Sequence, residues 1–223
     1  MSLFDKWILG KTDAGSLKDA IFVDLMKECA RPEPGAALSY QLRNRLDRLI
    51  PCERKEIVSR VKDGCAPLFV ASLHGHTEIV DYLVTVCGAD TEQRGLYEVP
   101  DDRSVHCVTA LWVAAVHGRL SVLKRLVELG ADVNAASDSG STPVRSACFM
   151  THLDIVQYLV DHGADIHKPN INGGTCLINS IESAELCLFL LSVSGFYKVL
   201  TCRSSDGKFN FLKTNHPNSV IPS

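Results

Sequence analysis

A block of about 33 residues recurs along this chain of 223 residues, and a fixed period constrains a fold more strongly than composition does. Ala110, Pro143 and Cys176 follow one another at this spacing, and so do Gly130 and Gly163. A single block of this size cannot bury its own apolar face, so the blocks are expected to stack side by side.

The residue types at fixed places in the block are those of the ankyrin repeat. Thr142 is expected to cap a helix with its hydroxyl group, and Pro143 suits the first helical position, where its missing N–H costs no bond. Gly75 and Gly118 are expected to end the first helix of their repeats at positive φ. The sequence therefore predicts an all-α ankyrin-repeat solenoid, in which helix-turn-helix repeats are joined by β-hairpin loops.

The repeat signal divides the chain into three parts. Residues 1–62 are predicted to form a helical N-terminal cap or degenerate repeat, residues 63–195 about four ankyrin repeats, and residues 196–223 a disordered tail. The cap is expected to contain helices at residues 16–27, 39–50 and 53–62. No polar capping repeat follows the fourth repeat, so its outer side is expected to be exposed and apolar.

Composition excludes several classes of protein. The 23 Lys and Arg against 26 Asp and Glu argue against a nucleic-acid binder that works by bulk positive charge. The longest apolar stretch, residues 186–196, has about eleven residues, too few to span a bilayer. The nine cysteines form no Cys-x-x-Cys pair, so we expect reduced thiols in a cytoplasmic, or nuclear, protein. Three of them lie at apolar positions and are expected to be buried: Cys148, Cys176 and Cys187.

Four histidines raise the question of a metal site: His74, His76, His117 and His152. A structural role is favoured, because His76 and His152 stand where ankyrin repeats commonly carry the histidine of a Gly-His pair. No Ser-His-Asp or Cys-His arrangement follows from the spacing. We therefore predict no enzymatic activity, no cofactor and no bound metal.

Two features go beyond a plain scaffold. The interval from Pro67 to Ala110 exceeds the period by about ten residues; the inserted residues, 91–106, form either a binding loop or a tolerated surface loop. The fourth position of the inner-helix motif is occupied in turn by Phe69, Trp112, Arg145 and Ile178. Tryptophan and arginine anchor many interfaces, although ordinary packing between repeats is the alternative for the tryptophan.

The chain resembles the Fem (feminisation) family of ankyrin-repeat proteins. Residues 141–149, Ser-Thr-Pro-Val-Arg-Ser-Ala-Cys-Phe, are similar to the Ser-Thr-Pro-Leu-Arg-Ala-Ala-Cys-Phe segment of that family. Residues 109–112 resemble its preceding repeat and residues 175–177 its following one. The insertion and the extra residue before Gly88 also fall where the family carries them. The resemblance covers roughly residues 53–191.

This resemblance implies a substrate receptor of a cullin–RING E3 ubiquitin ligase. In that family the N-terminal ankyrin array binds the C-terminal tail of client proteins, typically one ending in arginine, and a distant box docks elongin and cullin. Elongin and cullin are implied as partners only for a longer form of the protein that carries the docking box. We predict no binding to nucleic acid or to membranes. Carried over by position, Asp101 or Asp102 matches the acidic residue of the inserted loop, and Ser141 the polar residue of the Ser-Thr-Pro run. The residues that match positions in or beside the groove are Trp112, Arg145 and Phe149.

Two positions depart from the family pattern. The family's Cys-Phe-Asp-Gly is Cys-Phe-Met-Thr here, so Met150 replaces a carboxylate, and His74 stands where the family often has an aromatic or polar residue. Loss of one of two carboxylates should weaken arginine recognition by about 1–3 kcal/mol, which favours a more apolar last residue.

The chain is also much shorter than members of the family it resembles. A truncated isoform, an incomplete gene model and a diverged relative are all compatible with this length. Besides the ligase receptor, the sequence allows a generic ankyrin scaffold, or a decoy that binds clients without delivering them.

Overall fold

The computed structural model describes residues 17–100, 103–181 and 183–194. The helices in these ranges are α1 (Leu17–Cys29), α2 (Tyr40–Asp47), α3 (Pro51–Val58), α4 (Pro67–His74), α5 (Thr77–Thr85), α6 (Ala110–Val116), α7 (Leu120–Glu128), α8 (Pro143–Phe149), α9 (Leu153–Asp161), α10 (Cys176–Asn179) and α11 (Ala184–Val193). The strands are β1 (Gly95–Glu98) and β2 (Val105–Val108). The tail predicted for residues 196–223 lies outside the described residues.

The predicted start of α8 and the predicted ends of α4 and α6 are confirmed. The Thr142 hydroxyl accepts a hydrogen bond of 3.4 Å from the backbone N–H of Arg145, and Pro143 occupies the first position of α8. Gly75 caps α4 with a φ of 85°, and Gly118 follows α6 with a φ of 67°. Both glycines thus adopt the left-handed conformation that a side chain would oppose.

Contacts between the helices order them into two rows. In the inner row, α1, α4, α6, α8 and α10 follow one another, and each packs against the next. In the outer row, α5 packs against α7 and α7 against α9, while each also packs against the inner helix that precedes it in the chain. The apolar core lies between the rows and includes the fully buried Leu68, Ile79, Leu111, Leu123 and Ile155. This is a helical repeat fold with one small sheet.

The N-terminal helices overlap the three predicted segments, but one is shifted. The sequence predicts residues 53–62 for α3, whereas the helix begins at Pro51 and ends at Val58. Proline at the first helical position loses no bond, which explains the early start. Lys62 and Cys65 exchange two backbone hydrogen bonds of 3.0 Å, so the chain turns before it enters the first repeat.

The Gly-His histidines hold segments together through hydrogen bonds. His76 is fully buried; its Nδ1 accepts from the backbone N–H of Ala36 at 3.1 Å and its Nε2 donates to the carbonyl oxygen of Arg31 at 3.0 Å. Nε2 of His152 donates to the carbonyl oxygen of Val116 at 3.1 Å. Both therefore have the structural role that the sequence favours. Within the described ranges, no cluster of three or more His, Cys, Asp or Glu could hold a metal ion.

The insertion is more ordered than a loop. Its two strands pair antiparallel, with Gly95 opposite Val108 and Glu98 opposite Val105. Gly95 lies directly on the Phe69 ring: a Cβ atom at this position would be 2.7 Å from a ring carbon. The insertion, for which the sequence allows a binding loop or a tolerated surface loop, is therefore in large part a hairpin that packs against α4.

The fourth repeat exposes apolar side chains, as the sequence analysis predicts. Its inner helix, α10, has only four residues. The exposed apolar residues in and just before this repeat are Ile171, Leu177, Ile178, Ile181, Leu188 and Val193. Among the described helices, none has the length and apolar character needed to cross a bilayer. Cys148 and Cys176 are buried as expected, and Cys187 is partly buried.

Candidate functional site

Arg145 lies at the first turn of α8 with its charge only partly solvated. Its Nε donates to the carbonyl oxygen of Gly174 at 3.1 Å, and its Nη1 donates to the hydroxyl of Ser141 at 3.0 Å. A Cβ at position 174 would be 2.9 Å from Nη2, so glycine leaves room for the guanidinium. Burial lowers the pKa of Arg145, yet the group makes no ion pair with any described residue. A cation in this environment suits an anionic ligand.

Trp112 and Ser141 support this cation from inside the protein. Trp112 is 6% exposed, and its indole N–H donates to the carbonyl oxygen of Ser141 at 3.1 Å. Ser141 is also 6% exposed, and its hydroxyl lies 2.9 Å from that of Ser146. Most of the Trp112 side chain is therefore buried in packing between repeats, which is one of the two roles that the sequence allows. Trp112 and Ser141 hold Arg145 in position and expose little surface to solvent.

The end of α8 adds apolar surface beside the cation. Phe149 follows Arg145 by four residues and shares its helix face; its side chain is 67% exposed. Met150, the cap residue of α8, is 42% exposed. The helix therefore presents a guanidinium, a phenyl ring and a thioether, and no carboxylate where the Fem pattern has one.

His74 occupies the same place in its repeat as His117 and Met150 do in theirs. One period with the insertion separates His74 from His117, and one regular period separates His117 from Met150. His74 is half-buried at the end of α4, and its ring stacks on that of His76 at a centroid distance of 6.0 Å. Burial is the main cause that lowers the pKa of His74 to about 4 and that of His117 to about 4. Both imidazoles are therefore neutral at pH 7.

The acidic side of the predicted site lies outside the described residues, because it consists of Asp101 and Asp102. The structure does describe the hairpin that carries them. Arg103 pairs with Glu98 at 2.7 Å across it. Nη2 of Arg94 donates to the carbonyl oxygen of Ala136 at 2.9 Å, which joins the hairpin to the loop that leads into α8. The insertion and the Arg145 region therefore belong to the same side of the molecule.

A cavity of about 410 Å³ lies between α1, α4 and the β1–β2 hairpin, and the sequence analysis did not find it. Its lining is mostly apolar and includes Met26, Phe69, Val70, Leu73, Leu96, Tyr97 and Val105. The Tyr97 ring makes edge contacts with the rings of Trp112 at 5.5 Å and His117 at 5.6 Å. In the sequence, an indication of this cavity was Phe69 at the fourth position of the inner-helix motif. Its ring packs against Gly95 of the hairpin and lines the cavity.

Comparison with known families supports the repeat assignment. A family model described as "Ankyrin repeat" matches residues 63–96. A second, described as "Ankyrin repeats (many copies)", matches residues 111–160 and 146–185. The matches thus extend from the start of the first repeat to the beginning of α11 in the fourth.

Similar proteins carry fem-1 names in several animals. The chain is 40% identical over 142 residues to the sex-determining protein fem-1 of Caenorhabditis elegans, covering 62% of this chain and 21% of that protein. It is 41% identical over 102 residues to the fem-1 homolog CG6966 of Drosophila melanogaster, covering 46% and 15%. It is 41% identical over 125 residues to the fem-1 homolog A-A of Mus musculus, covering 56% and 19%. The chain thus spans about a fifth or less of the length of these relatives.

Proposed function

We propose that this chain, which belongs to the Fem family of ankyrin-repeat proteins, binds the carboxyl-terminal tail of a client protein on the face formed by its inner helices and hairpins. The ankyrin repeats make it a protein-binding module, and the helix pairs would act as one solenoid. The observation that carries the proposal is Arg145, a half-buried guanidinium without an ion pair among the described residues.

A terminal carboxylate suits this cation for three reasons. Arg145 spends two of its five N–H donors on neutral oxygen atoms and keeps the others for a ligand. A carboxylate can accept two parallel N–H bonds from one guanidinium, which gives direction as well as energy. Capture of chain ends by such donors is a recurrent way to recognise peptides.

The last side chain of the client is proposed to be apolar. Phe149 and Met150 are exposed beside Arg145, and no described residue of α8 offers a carboxylate to a second guanidinium. An aliphatic or aromatic last residue would bury this surface, whereas an arginine would rely on Asp101 and Asp102 alone. The departure from the family pattern at position 150 thus favours a changed specificity.

Client recognition for ubiquitination is the proposed role of this binding. The family resemblance implies a cullin–RING ligase, in which elongin and cullin dock on a box distant from the ankyrin array. The repeats of this chain would select the client, and delivery would depend on that box. Without ligase recruitment the same face would serve a scaffold or a decoy.

Fluorescence polarisation with tail peptides tests the proposal. Each labelled ten-residue peptide is made with a free or an amidated carboxyl end, and its last residue is varied through Arg, Leu, Phe and Ser. Amidation and Arg145→Gln are each expected to weaken binding about tenfold or more, the scale of a charged hydrogen bond. Arg125→Gln is the matched control, since Arg125 lies on outer helix α7 and pairs with Asp81 and Glu128.

Two results would contradict parts of this proposal. Binding that ignores amidation would exclude tail recognition and leave a generic scaffold as the function. A preference for arginine over leucine at the last position would refute the change of specificity. Circular dichroism of Arg145→Gln should match that of the unchanged protein, so that lost binding reflects the lost guanidinium.

A further inference from the structure

We infer that the cavity between α1, α4 and the hairpin is a second subsite of the same face, which takes an aromatic or branched aliphatic side chain of the bound tail, within about five residues of its carboxyl end. This inference rests on the proposed function and adds to it an upstream specificity that Arg145 cannot supply.

The cavity has the size and lining of a binding pocket. Its volume of about 410 Å³ falls within the range of about 300–1,000 Å³ that is usual for pockets that bury small ligands. Phe69 and Val70 line it and are 2% exposed, so core packing fixes their positions. Met26 and Ala30 of α1 and Leu73 of α4 contribute further apolar walls. An apolar side chain would exchange water for these walls.

The hairpin contributes half-exposed apolar side chains to the cavity. Leu96 and Val105, one on each strand, both line it and remain 49% and 50% exposed. Apolar side chains that lie together and stay half exposed are typical of surfaces that bind a partner.

One polar atom in the lining is suited to a peptide backbone. Nε2 of His117 is buried and has no hydrogen-bond partner among the described residues. A neutral imidazole nitrogen can donate or accept one hydrogen bond, according to its tautomer. A backbone C=O or N–H of the peptide could satisfy this atom, which an entirely apolar ligand could not do.

Contacts connect the cavity to Arg145 in a few short steps. Tyr97 lines the cavity and contacts the ring of Trp112 at 5.5 Å. Trp112 donates to the carbonyl oxygen of Ser141, and the hydroxyl of Ser141 accepts from Arg145 at 3.0 Å. An extended chain advances about 3.3 Å per residue, so the five residues before the carboxyl end span about 17 Å from Arg145, and the test below covers that distance.

The test scans one aromatic residue along the tail. Ten-residue peptides keep a free carboxyl end and one last residue, and carry a single Phe in place of Ser at each of the five preceding positions. We expect one position at which Phe tightens binding about tenfold, as burial of an aromatic side chain can provide. Leu96→Asn should reduce that gain to about threefold or less.

Leu188→Asn is the matched control, because Leu188 is 51% exposed on α11 and does not line the cavity. A gain that is absent at every position, or that survives Leu96→Asn, would overturn the inference and leave tail binding intact if amidation still abolishes it. An aromatic gain with no dependence on the free carboxylate would instead overturn the proposed function and separate the cavity from it. No binding to any peptide would overturn both.

Discussion

The indole N–H of Trp112 donates a hydrogen bond of 3.1 Å to the main-chain carbonyl of Ser141, 29 residues further along the chain. This bond ties inner helix α6 to the turn that starts the next repeat. Since the Ser141 hydroxyl accepts from Arg145 at 3.0 Å, the indole indirectly sets the position of this half-buried cation. Trp112 thus links the packing of two repeats to the geometry of the proposed carboxylate site.

Trp112→Phe is expected to lower the free energy of unfolding by about 2 kcal/mol. The change removes one of the two hydrogen bonds that the carbonyl oxygen of Ser141 accepts, the other coming from the backbone N–H of Ser137 at 2.9 Å. The lost bond costs about 0.5–1.5 kcal/mol, and the space that the smaller ring leaves in the core adds to the loss. Urea denaturation followed by circular dichroism measures this loss. Tyr158→Phe, on outer helix α9, is the control and should stay within about 0.5 kcal/mol of the unchanged protein. A similarly small effect of Trp112→Phe would show that the hydrogen bond contributes little.

Thr151→Gly is expected to stabilise the protein by about 0.5–1 kcal/mol. Thr151 has a φ of 57° at the place where the two preceding repeats have Gly75 and Gly118. A β-branched residue is strained in this region by about 1–2 kcal/mol, and the greater freedom of glycine in the unfolded chain offsets part of the gain. The side chain is exposed, so few contacts are lost.

The opposite substitution, from glycine to a residue with a side chain, is the comparison for the Thr151→Gly prediction. In Gly118→Ala, the new Cβ would lie 3.0 Å from the His152 ring at a φ of 67°, so unfolding should become easier. Urea unfolding of both variants decides the question. Lower stability of Thr151→Gly would mean that the threonine makes a contact worth more than its strain.

Local chemistry explains why the helices of the repeats could be predicted from the sequence. The first turn of α8 depends on Thr142 and Pro143, which act within four residues, and the end of α4 depends on Gly75 alone. The repeat period then supplies the order of the helices, because each repeat must bury its apolar side against the next.

The candidate site was only partly predictable, since its geometry depends on contacts between repeats. The sequence marked Trp112 and Arg145, but the bond from the indole to Ser141 crosses 29 residues. The cavity exists because the inserted residues form strands and place Tyr97 and Leu96 over α4, which a loop prediction does not indicate. Thr151 occupies the repeat position of Gly75 and Gly118, and the sequence analysis did not predict its positive φ.

Stability is expected to fall as the pH decreases from about 6.5 towards 4. Burial lowers the folded-state pKa of His74 and of His117 to about 4, whereas their ordinary value is 6.5. In this window the unfolded chain binds protons that the folded chain does not, so the free energy of unfolding decreases with falling pH. Above about pH 7 both histidines are neutral in both states, and their contribution is constant.

Urea midpoints at pH 7.5, 6, 5 and 4.5 measure this dependence. His117→Leu removes one of the two groups and should make the decrease between pH 6.5 and 4.5 shallower. An unchanged slope in that variant would show that His117 titrates in the folded protein much as it does in the unfolded chain.

Gly95→Ala is expected to destabilise the protein by about 1–3 kcal/mol, the usual cost of overpacking a filled core. The added Cβ would lie 2.7 Å from a carbon of the Phe69 ring, and this ring is 2% exposed and has little room to move. Phe69→Leu should remove most of the clash, so the double variant is expected to lose less stability than the sum of the losses in the two single variants.

Urea unfolding of the unchanged protein, the two single variants and the double variant gives the coupling energy. Simple additivity would contradict the close approach of β1 to α4. A coupling above about 0.5 kcal/mol would confirm that the hairpin packs on the helix and thereby forms the wall of the cavity.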